Sequence, residues 1–301
     1  MLAQDGHAPS DILFYSTMKC VGVIAKYTDP RAQKIVSDLG EWLEERGRTV
    51  VLEKETASLV PKSEAVTRSK LPERCDFLIV IGGDGTLLSA ARVVGTTGKP
   101  ILGVNLGSLG FMTAITLEEL YPVLDRIFQE DFEYDERMML VAHVHRMGER
   151  VANYTVLNDV VINKGALARI IDIETTIGET YLSSFKADGL IISTPTGSTG
   201  YSLAAQGPIL HPTLRAIVIT PICPHMLTNR PIVIRDDMEV RATLRSRETD
   251  VFLTLDGQVG LGIREGDVIE VKKADAPLRF FRSPFKDYFA VLRTKLKWGE
   301  R

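Results

Sequence analysis

DFLIVIGGDGTLL, residues 76–88, decides how the rest of the chain is read. Phe77 to Ile81 form an unbroken apolar run, long enough for a buried parallel strand and too short for a helix. Gly82 and Gly83 stop that strand. Lacking a Cβ, they admit positive φ and let the backbone come up against a ligand. From Thr86 the sequence TLLSAARVV reads as a helix. Its free N–H groups face back to the glycines, where they and the helix dipole favour an anion. Gly82, Gly83, Gly85 and Thr86 are thus read as a phosphate loop. Asp84 is the odd member, because an acid beside phosphates is repulsive unless it takes a proton or meets a metal ion. A tight strand-to-helix turn with Asp84 as the helix cap is the plain alternative.

The same grammar extends to either side. Lys19 to Ala25 is a short apolar strand, Pro30 to Arg46 has helical spacing closed by Gly47, and Thr49 to Glu53 is a second strand. Ser58 to Pro72 is polar and reads as a surface helix or loop. Pro100 to Val104 is another buried strand, and it runs into a second glycine-rich loop, NLGSLGF at 105–111. Strands alternating with helices imply a doubly wound, Rossmann-like parallel sheet, in which ligands sit at the carboxyl ends of the strands. Leu117 to Gln129 is a helix expected to be interrupted at Pro122. From Phe132 to about Lys273 the pattern changes to short runs rich in Val, Ile and Thr, among them Tyr154–Val160, which predict an antiparallel sandwich or layered sheet. Lys286 to Trp298 reads as a final helix. The expected division is a flexible extension over 1–17, with the true start open between Met1 and Met18, an α/β domain over 18–130 and a β-rich domain over 131–283.

Size and charge narrow the function classes. The chain has 301 residues, 45% of them hydrophobic, enough for two ordinary domains. Its 36 basic and 39 acidic residues give a net charge of -3, which offers no general field for nucleic acid or an anionic membrane. Any phosphate affinity must be local. Cys20, Cys75 and Cys223 are scattered and lack CxxC spacing, which argues against a disulfide framework and a cysteine zinc site and fits a reducing, cytoplasmic setting. No apolar run approaches the ~20 residues of a membrane span. The N-terminus lacks the pattern of a secretory signal.

The β-rich half holds its own unusual stretch, ADGLIISTPTGSTGYSLAAQGPILHP at 187–212. An apolar strand runs into small and hydroxyl-bearing residues from Thr194 to Gly200, and a helix of one or two turns follows from Tyr201. Such a loop can line a polar pocket with hydroxyls and N–H groups while Tyr201 offers a flat face to a base or ribose; a surface turn is the alternative. Asn158-Asp159 is a polar pair inside an apolar run, costly unless it meets a ligand or a network. Neighbours on a strand face opposite ways, so both reach one ligand only through a loop or bulge. His143 and His145 share a strand face, but sequence spacing puts no third metal ligand near them, and an exposed strand face accounts for the pair. Asp256-Gly257-Gln258 reads as an Asp-Gly hairpin turn, explained by turn chemistry alone.

GGDGTLL at 82–88, Asn158-Asp159 and DGLIISTPTGSTGYSLAAQGPIL at 188–210, in this order and rough spacing, resemble the NAD kinase family over nearly all of the chain from Lys19 to Trp298. GGDG alone also resembles phosphofructokinases and lipid kinases; the long Thr-Pro-Thr-Gly-Ser-Thr-Gly-Tyr-Ser stretch looks specific. The resemblance implies Asp84 as general base and Gly85 and Phe111 against NAD. It implies that Asn158 and Asp159 hold the adenosine part, where other members often have Glu second. It further implies Asp188 on the nicotinamide-side ribose, and Thr199, Gly200, Tyr201, Ser202, Leu203 and Ala204 round the adenine and ribose. Arg169, Lys186 and Gln258 fall on NAD-contacting positions. Gly200 departs from the Ala more usual in the family, which puts that packing contact in doubt.

The resemblance also implies that 284–301 returns to the first domain, and that homodimers or homotetramers share the site. The implied activity is transfer of phosphate from ATP to the 2′-hydroxyl of NAD⁺, with a divalent ion such as Mg²⁺; inorganic polyphosphate is an alternative donor. Two rival readings stay open: a lipid kinase, which needs an apolar pocket, and a nucleotide-binding protein without chemistry. An NAD dehydrogenase is disfavoured by the lack of G-x-G-x-x-G after the first strand.

Overall fold

The run at 77–82 folds as a strand, Phe77–Gly82, buried at every residue. In this computed structural model, which describes residues 18–60, 64–95, 97–166, 168–247 and 250–299, it lies at the centre of a seven-stranded sheet. Across that sheet the strands run Ala65–Val66, Thr49–Glu53, Cys20–Ala25, Phe77–Gly82, Ile101–Asn105, Leu278–Phe281 and Tyr134–Arg137. Pairing is parallel from Ala65–Val66 through Leu278–Phe281. The chain order reverses between Cys20–Ala25 and Phe77–Gly82. At such a switch point a crevice opens beyond the carboxyl ends of the strands, and both glycine loops leave from those ends, one after Gly82 and the other after Asn105. The expected extension over 1–17 lies outside the described residues.

Two helices cover this sheet through apolar stripes at helical spacing. Ala32–Glu44 contributes Val36, Leu39 and Leu43 to the core, and Leu117–Phe128 contributes Leu120, Val123, Leu124 and Ile127. Pro122 does not interrupt the second of these as expected. It is exposed, and so is Glu118, whose carbonyl loses its helical partner, so water can meet the freed group at little cost. The end of the chain returns to this sheet with a strand as well as with the helix Tyr288–Leu296. LRFF at 278–281 is too short and mixed to announce a strand. Phe281 earns its place in the core, meeting Phe77, Phe132 and Tyr134 at ring-centroid distances of 5.4, 5.1 and 5.3 Å.

The second unit comprises two six-stranded sheets. One runs Thr180–Ala187, Ile171–Ile177, Val240–Leu244, Val268–Lys273, Leu140–Arg146, Glu149–Val156; the other runs Ile232–Arg235, Ala216–Ile222, Gly189–Ser193, Asp159–Lys164, Val251–Leu255, Val259–Ile263. Pairing within both is antiparallel. Alternate residues such as Leu140, Ala142 and Val144 from one sheet, and Val160, Ile162, Leu190 and Ile192 from the other, share a single core. The run read as one strand over Tyr154–Val160 breaks at Leu157-Asn158, where the chain steps from one sheet to the other. Contacts divide the chain into a first unit reaching Ala90, with Lys99–Asp135 and the residues from Phe280 on, and a second unit of Ala91–Gly98 and Glu136–Arg279.

Candidate functional site

In the first unit the helix begins at Asp84 itself, two residues before the spacing predicted, so the carboxylate stands in its first turn. That carboxylate is turned to the second glycine loop. Asp84 Oδ2 accepts the Phe111 N–H at 2.9 Å, while Oδ1 accepts Met112 N–H, Thr113 N–H and the Thr113 hydroxyl at 3.2, 3.3 and 3.1 Å. Thr113 is fixed in turn by Asn105, whose Nδ2 donates to its Oγ1 at 2.8 Å and whose Oδ1 accepts the Gly107 N–H at 2.6 Å. Both side chains are buried. Oδ1 is therefore saturated, and Oδ2 keeps one lone pair. Space explains the glycines: a Cβ on Gly110 would stand 2.2 Å from Asp84 Oδ1, and one on Gly82 would stand 2.5 Å from Thr86 Oγ1. Gly83 faces open space and Gly85 is exposed. Phe111 is half-buried, with Lys295 Nζ 5.7 Å from its ring centroid.

The second unit holds a cavity of about 290 Å³, lined by Asn158, Asp159, Tyr201, Thr254, Asp256 and Gly257 among others. The step between the sheets brings Asn158 and Asp159 to one space, which a continuous strand would not allow. Asp256 and Gly257, at φ 50 and 64°, turn the hairpin as the Asp-Gly pair predicts. Turn chemistry is not all that Asp256 does, however. Its buried carboxylate accepts the N–H groups of Asn158, Leu157 and Asp159 at 2.7, 3.2 and 3.3 Å, pinning the step in place. Sequence reasoning passed over this residue; its only signal was an acid beside an apolar strand, which any Asp-Gly turn shares. Burial, reinforced by the Asp256 carboxylate, pushes Asp159 up to about 7. Burial also raises Asp256, against the pull of its three N–H donors. Asn158 Oδ1 is buried without a hydrogen-bond partner, an orphan acceptor in a residue that lines the cavity.

The hydroxyl-rich loop does a different job from the one expected. Thr194 Oγ1 donates to Leu157 O at 2.7 Å and Ser193 Oγ to Asn158 O at 3.2 Å. Ser198 Oγ donates to Pro195 O at 2.6 Å and accepts Leu210 N–H at 3.0 Å, and Thr199 Oγ1 donates to Thr196 O at 3.2 Å. These hydroxyls satisfy buried backbone groups and hold the Leu157-Asn158 step. Gly197 packs on that step so closely that a Cβ would meet Asn158 O at 2.2 Å. Of this loop and its helix, Tyr201, 47% exposed, is the side chain that reaches the cavity wall. The helix is a single turn, Tyr201–Ala204. Ser202 is buried against Thr220 at 3.1 Å, Leu203 is half-buried, and Gly200 and Ala204 are exposed.

The remaining predicted residues are more dispersed. Asp188 pairs with Lys164 at 3.6 Å. Gln258 takes a hydrogen bond from Arg92. Lys186 and Arg169 are exposed, the first on a strand and the second between strands.

A parallel sheet with two glycine loops at the carboxyl ends of its strands, and a second unit with a cavity walled by two aspartates and Tyr201, suit a protein that binds phosphorylated nucleosides. Comparison with known proteins narrows that class. Residues 21–132 match the ATP-NAD kinase N-terminal domain and residues 157–283 the ATP-NAD kinase C-terminal domain. The NAD kinase of Geotalea daltonii is 57% identical over 284 residues, covering 94% of this chain and 100% of that protein. The NAD kinase of Geobacter sulfurreducens is 55% identical over the same shares. Yeast NADH kinase, solved with NADH, superposes at a TM-score of 0.88 with 24% identity, covering 94% of this chain and 89% of that one. An NAD kinase from Archaeoglobus fulgidus, solved with ATP, gives 0.73 with 23% identity, covering 91% and 99%. These two likenesses bear on the fold. The chain belongs to the NAD kinase family.

Proposed function

We propose that the protein transfers the γ-phosphoryl of ATP to the 2′-hydroxyl of the adenosine ribose of NAD⁺, giving NADP⁺ and ADP, with Asp84 as general base. The observation that supports Asp84 is its hydrogen bonding: donors from the second glycine loop fix the carboxylate and leave Oδ2 with a free lone pair. As the ribose oxygen bonds to the γ-phosphorus, the bond from that phosphorus to the β,γ-bridging oxygen breaks and ADP departs. The hydroxyl proton passes to Asp84 Oδ2. N–H groups of the glycine loop before Thr86 would meet the transferred group, the Thr86 N–H itself being given to Gly83 O at 3.0 Å. A divalent ion, Mg²⁺ in this reading, supplies charge compensation on the phosphates. Asp84 is the one carboxylate in the two glycine loops, and one of its oxygens is saturated, so these residues fit an ion carried chiefly by the donor's own phosphates.

Asn158 and Asp159 take the adenosine part, the orphan Asn158 Oδ1 accepting from a hydroxyl or amine. Asp159, with its pKa near 7, can donate as well as accept at neutral pH. Tyr201 gives a ring face to the nucleoside. Gly85, Phe111, Asp188, Thr199, Gly200, Ser202, Leu203, Ala204, Gln258, Arg169 and Lys186 complete the NAD-contacting set. Ser202 does so through its backbone, because its side chain is buried. The carboxylates and amides in the cavity wall, Asn158, Asp159, Asn163 and Asp256, speak against the acyl pocket of a lipid kinase. Among the described residues no helix is long and apolar enough to cross a membrane; we assign the enzyme to the cytoplasm, as a homodimer or homotetramer. The test is NADP⁺ formation by the purified protein from NAD⁺, ATP and Mg²⁺, followed with an NADP-specific dehydrogenase. NADP⁺ in step with ADP is expected; its absence from protein that still binds NAD⁺ favours a binding protein.

A further inference from the structure

The sandwich carries a group of side chains that the kinase reading does not use. Strand alternation sends Leu140, Ala142 and Val144 into the core and His143 and His145 to the opposite face. On the neighbouring strand Ile269 and Val271 point inward and Glu270 outward. Antiparallel register sets Glu270 directly across from His143. His143 Nδ1 lies 3.4 Å from Glu270 Oε1, and His145 Nε2 lies 3.9 Å from Glu270 Oε2. One ligand atom from each of the three lies within 4.8 Å of the others. The third ligand that sequence spacing failed to provide comes from a strand well over a hundred residues later.

A second observation concerns His145. Its Nε2 is shut off from solvent and has no hydrogen-bond partner, and the nearby Glu270 oxygen is beyond bonding reach. A buried polar atom of this kind calls for an explanation. An ion placed among the three groups would satisfy it together with the other two. Two imidazoles and a carboxylate are the donor set of three-ligand zinc sites, which keep a fourth position open. With metal–ligand bonds of roughly 2.0–2.2 Å, a tetrahedral set needs its donors about 3.3 Å apart. The His143–Glu270 separation already meets this; the remaining separations, all within 4.8 Å, close when the His145 ring turns toward that pair.

Two cations compete for the carboxylate: Arg241 Nη2 at 3.5 Å from Oε2 and Lys272 Nζ at 3.8 Å from Oε1. Both basic side chains are about half exposed, at 51% and 48%, so these ion pairs are weak and exchangeable. We infer that His143, His145 and Glu270 form a binding site for one divalent transition-metal ion of the zinc type. Magnesium does not suit it, because that ion prefers oxygen donors to imidazole nitrogen. The bound ion would clip two adjacent strands of the sandwich and hold one further ligand or water.

The test uses the full chain, stripped of metal with a chelator and exchanged into metal-free buffer without nucleotide. Titration with Co²⁺ is expected to give one ion per chain and the visible absorption of a four-coordinate site, bleached by one equivalent of Zn²⁺. His143→Ala and His145→Ala should each weaken Zn²⁺ binding at least tenfold against a chromophoric chelator, and the double variant should abolish the cobalt spectrum. NADP⁺ formation should survive in all three variants. A featureless cobalt titration of the wild type overturns the inference whatever the variants do, and so does a cobalt spectrum that persists in the double variant.

Discussion

Two aspartates in this chain show opposite ways of handling a carboxylate. Asp84, in the first unit, is clasped by three backbone N–H groups and a hydroxyl that lock its direction. Asp159, in the second, is buried beside a second carboxylate that has taken the nearby N–H donors for itself. A dense set of donors makes a carboxylate a fixed acceptor with a defined free lone pair. Burial beside a like charge makes it reluctant to ionise. The first arrangement suits proton acceptance at one point in space, the second recognition of a ligand that brings its own donors.

The comparison breaks most severely where the clasp is filled. Gly110→Ala puts a methyl 2.2 Å from Asp84 Oδ1 and must drive the carboxylate aside. NADP⁺ formation should fall by about 10²-fold, the scale of a misplaced reacting group. Circular dichroism should show the fold intact. Thr113→Val tests the same clasp more gently. Losing the hydroxyl frees one side of Asp84 and strands Asn105 Nδ2. We expect kcat to drop roughly tenfold, about 1.4 kcal/mol of barrier, with KM for NAD⁺ little changed. Thr113→Ser should restore most of the rate. A rise in KM with kcat intact would place Thr113 in binding instead.

How much of this was legible in the sequence differs between the two aspartates. Asp84 stood out because an acid among glycines after a buried strand contradicts its surroundings. The clasp did not: Thr113 and Asn105 look like ordinary loop residues until two strand ends are brought side by side. Asp159 was visible as polarity inside an apolar run, and the step between sheets that exposes it is the loop that such a pair demands. Asp256 was hidden by its own turn motif. The hydroxyls of Thr194, Ser198 and Thr199 read as pocket lining but bond to backbone carbonyls, since backbone satisfaction and pocket lining ask for the same small residues. His143 and His145 lacked their third partner because register between distant strands has no local signature.

The Asp159 side of the comparison is sharpened by pH. Folding raises this carboxyl from an ordinary value of 3.8 to about 7. Below pH 4 both folded and unfolded chains hold the proton, and the group is neutral to stability. Between about 4 and about 7 the folded chain alone keeps it, so stability falls as pH rises, by up to about 1.4 kcal/mol per unit. Above about 7 the loss levels off. Urea midpoints for the wild type and Asp159→Asn should therefore diverge across that window, the variant gaining on the wild type toward pH 8. Parallel midpoints at all pH values would mean that Asp159 ionises freely. The smallest effect is expected at Arg169→Ala, an exposed side chain outside both carboxylate groups. A rise of about twofold to threefold in KM for NAD⁺ is the scale of an exposed charge contact. A tenfold rise would bring Arg169 into the main binding set.

The most direct test of the account separates turnover from binding in Asp84→Asn. NADP⁺ formation and calorimetric NAD⁺ affinity are measured on the same preparation, with thermal unfolding as a control. A base whose Oδ2 takes the ribose proton predicts a fall in kcat of at least about 10²-fold, with NAD⁺ affinity within a few-fold of wild type. Near-normal turnover, or a loss of NAD⁺ affinity as large as the loss of rate, would contradict it.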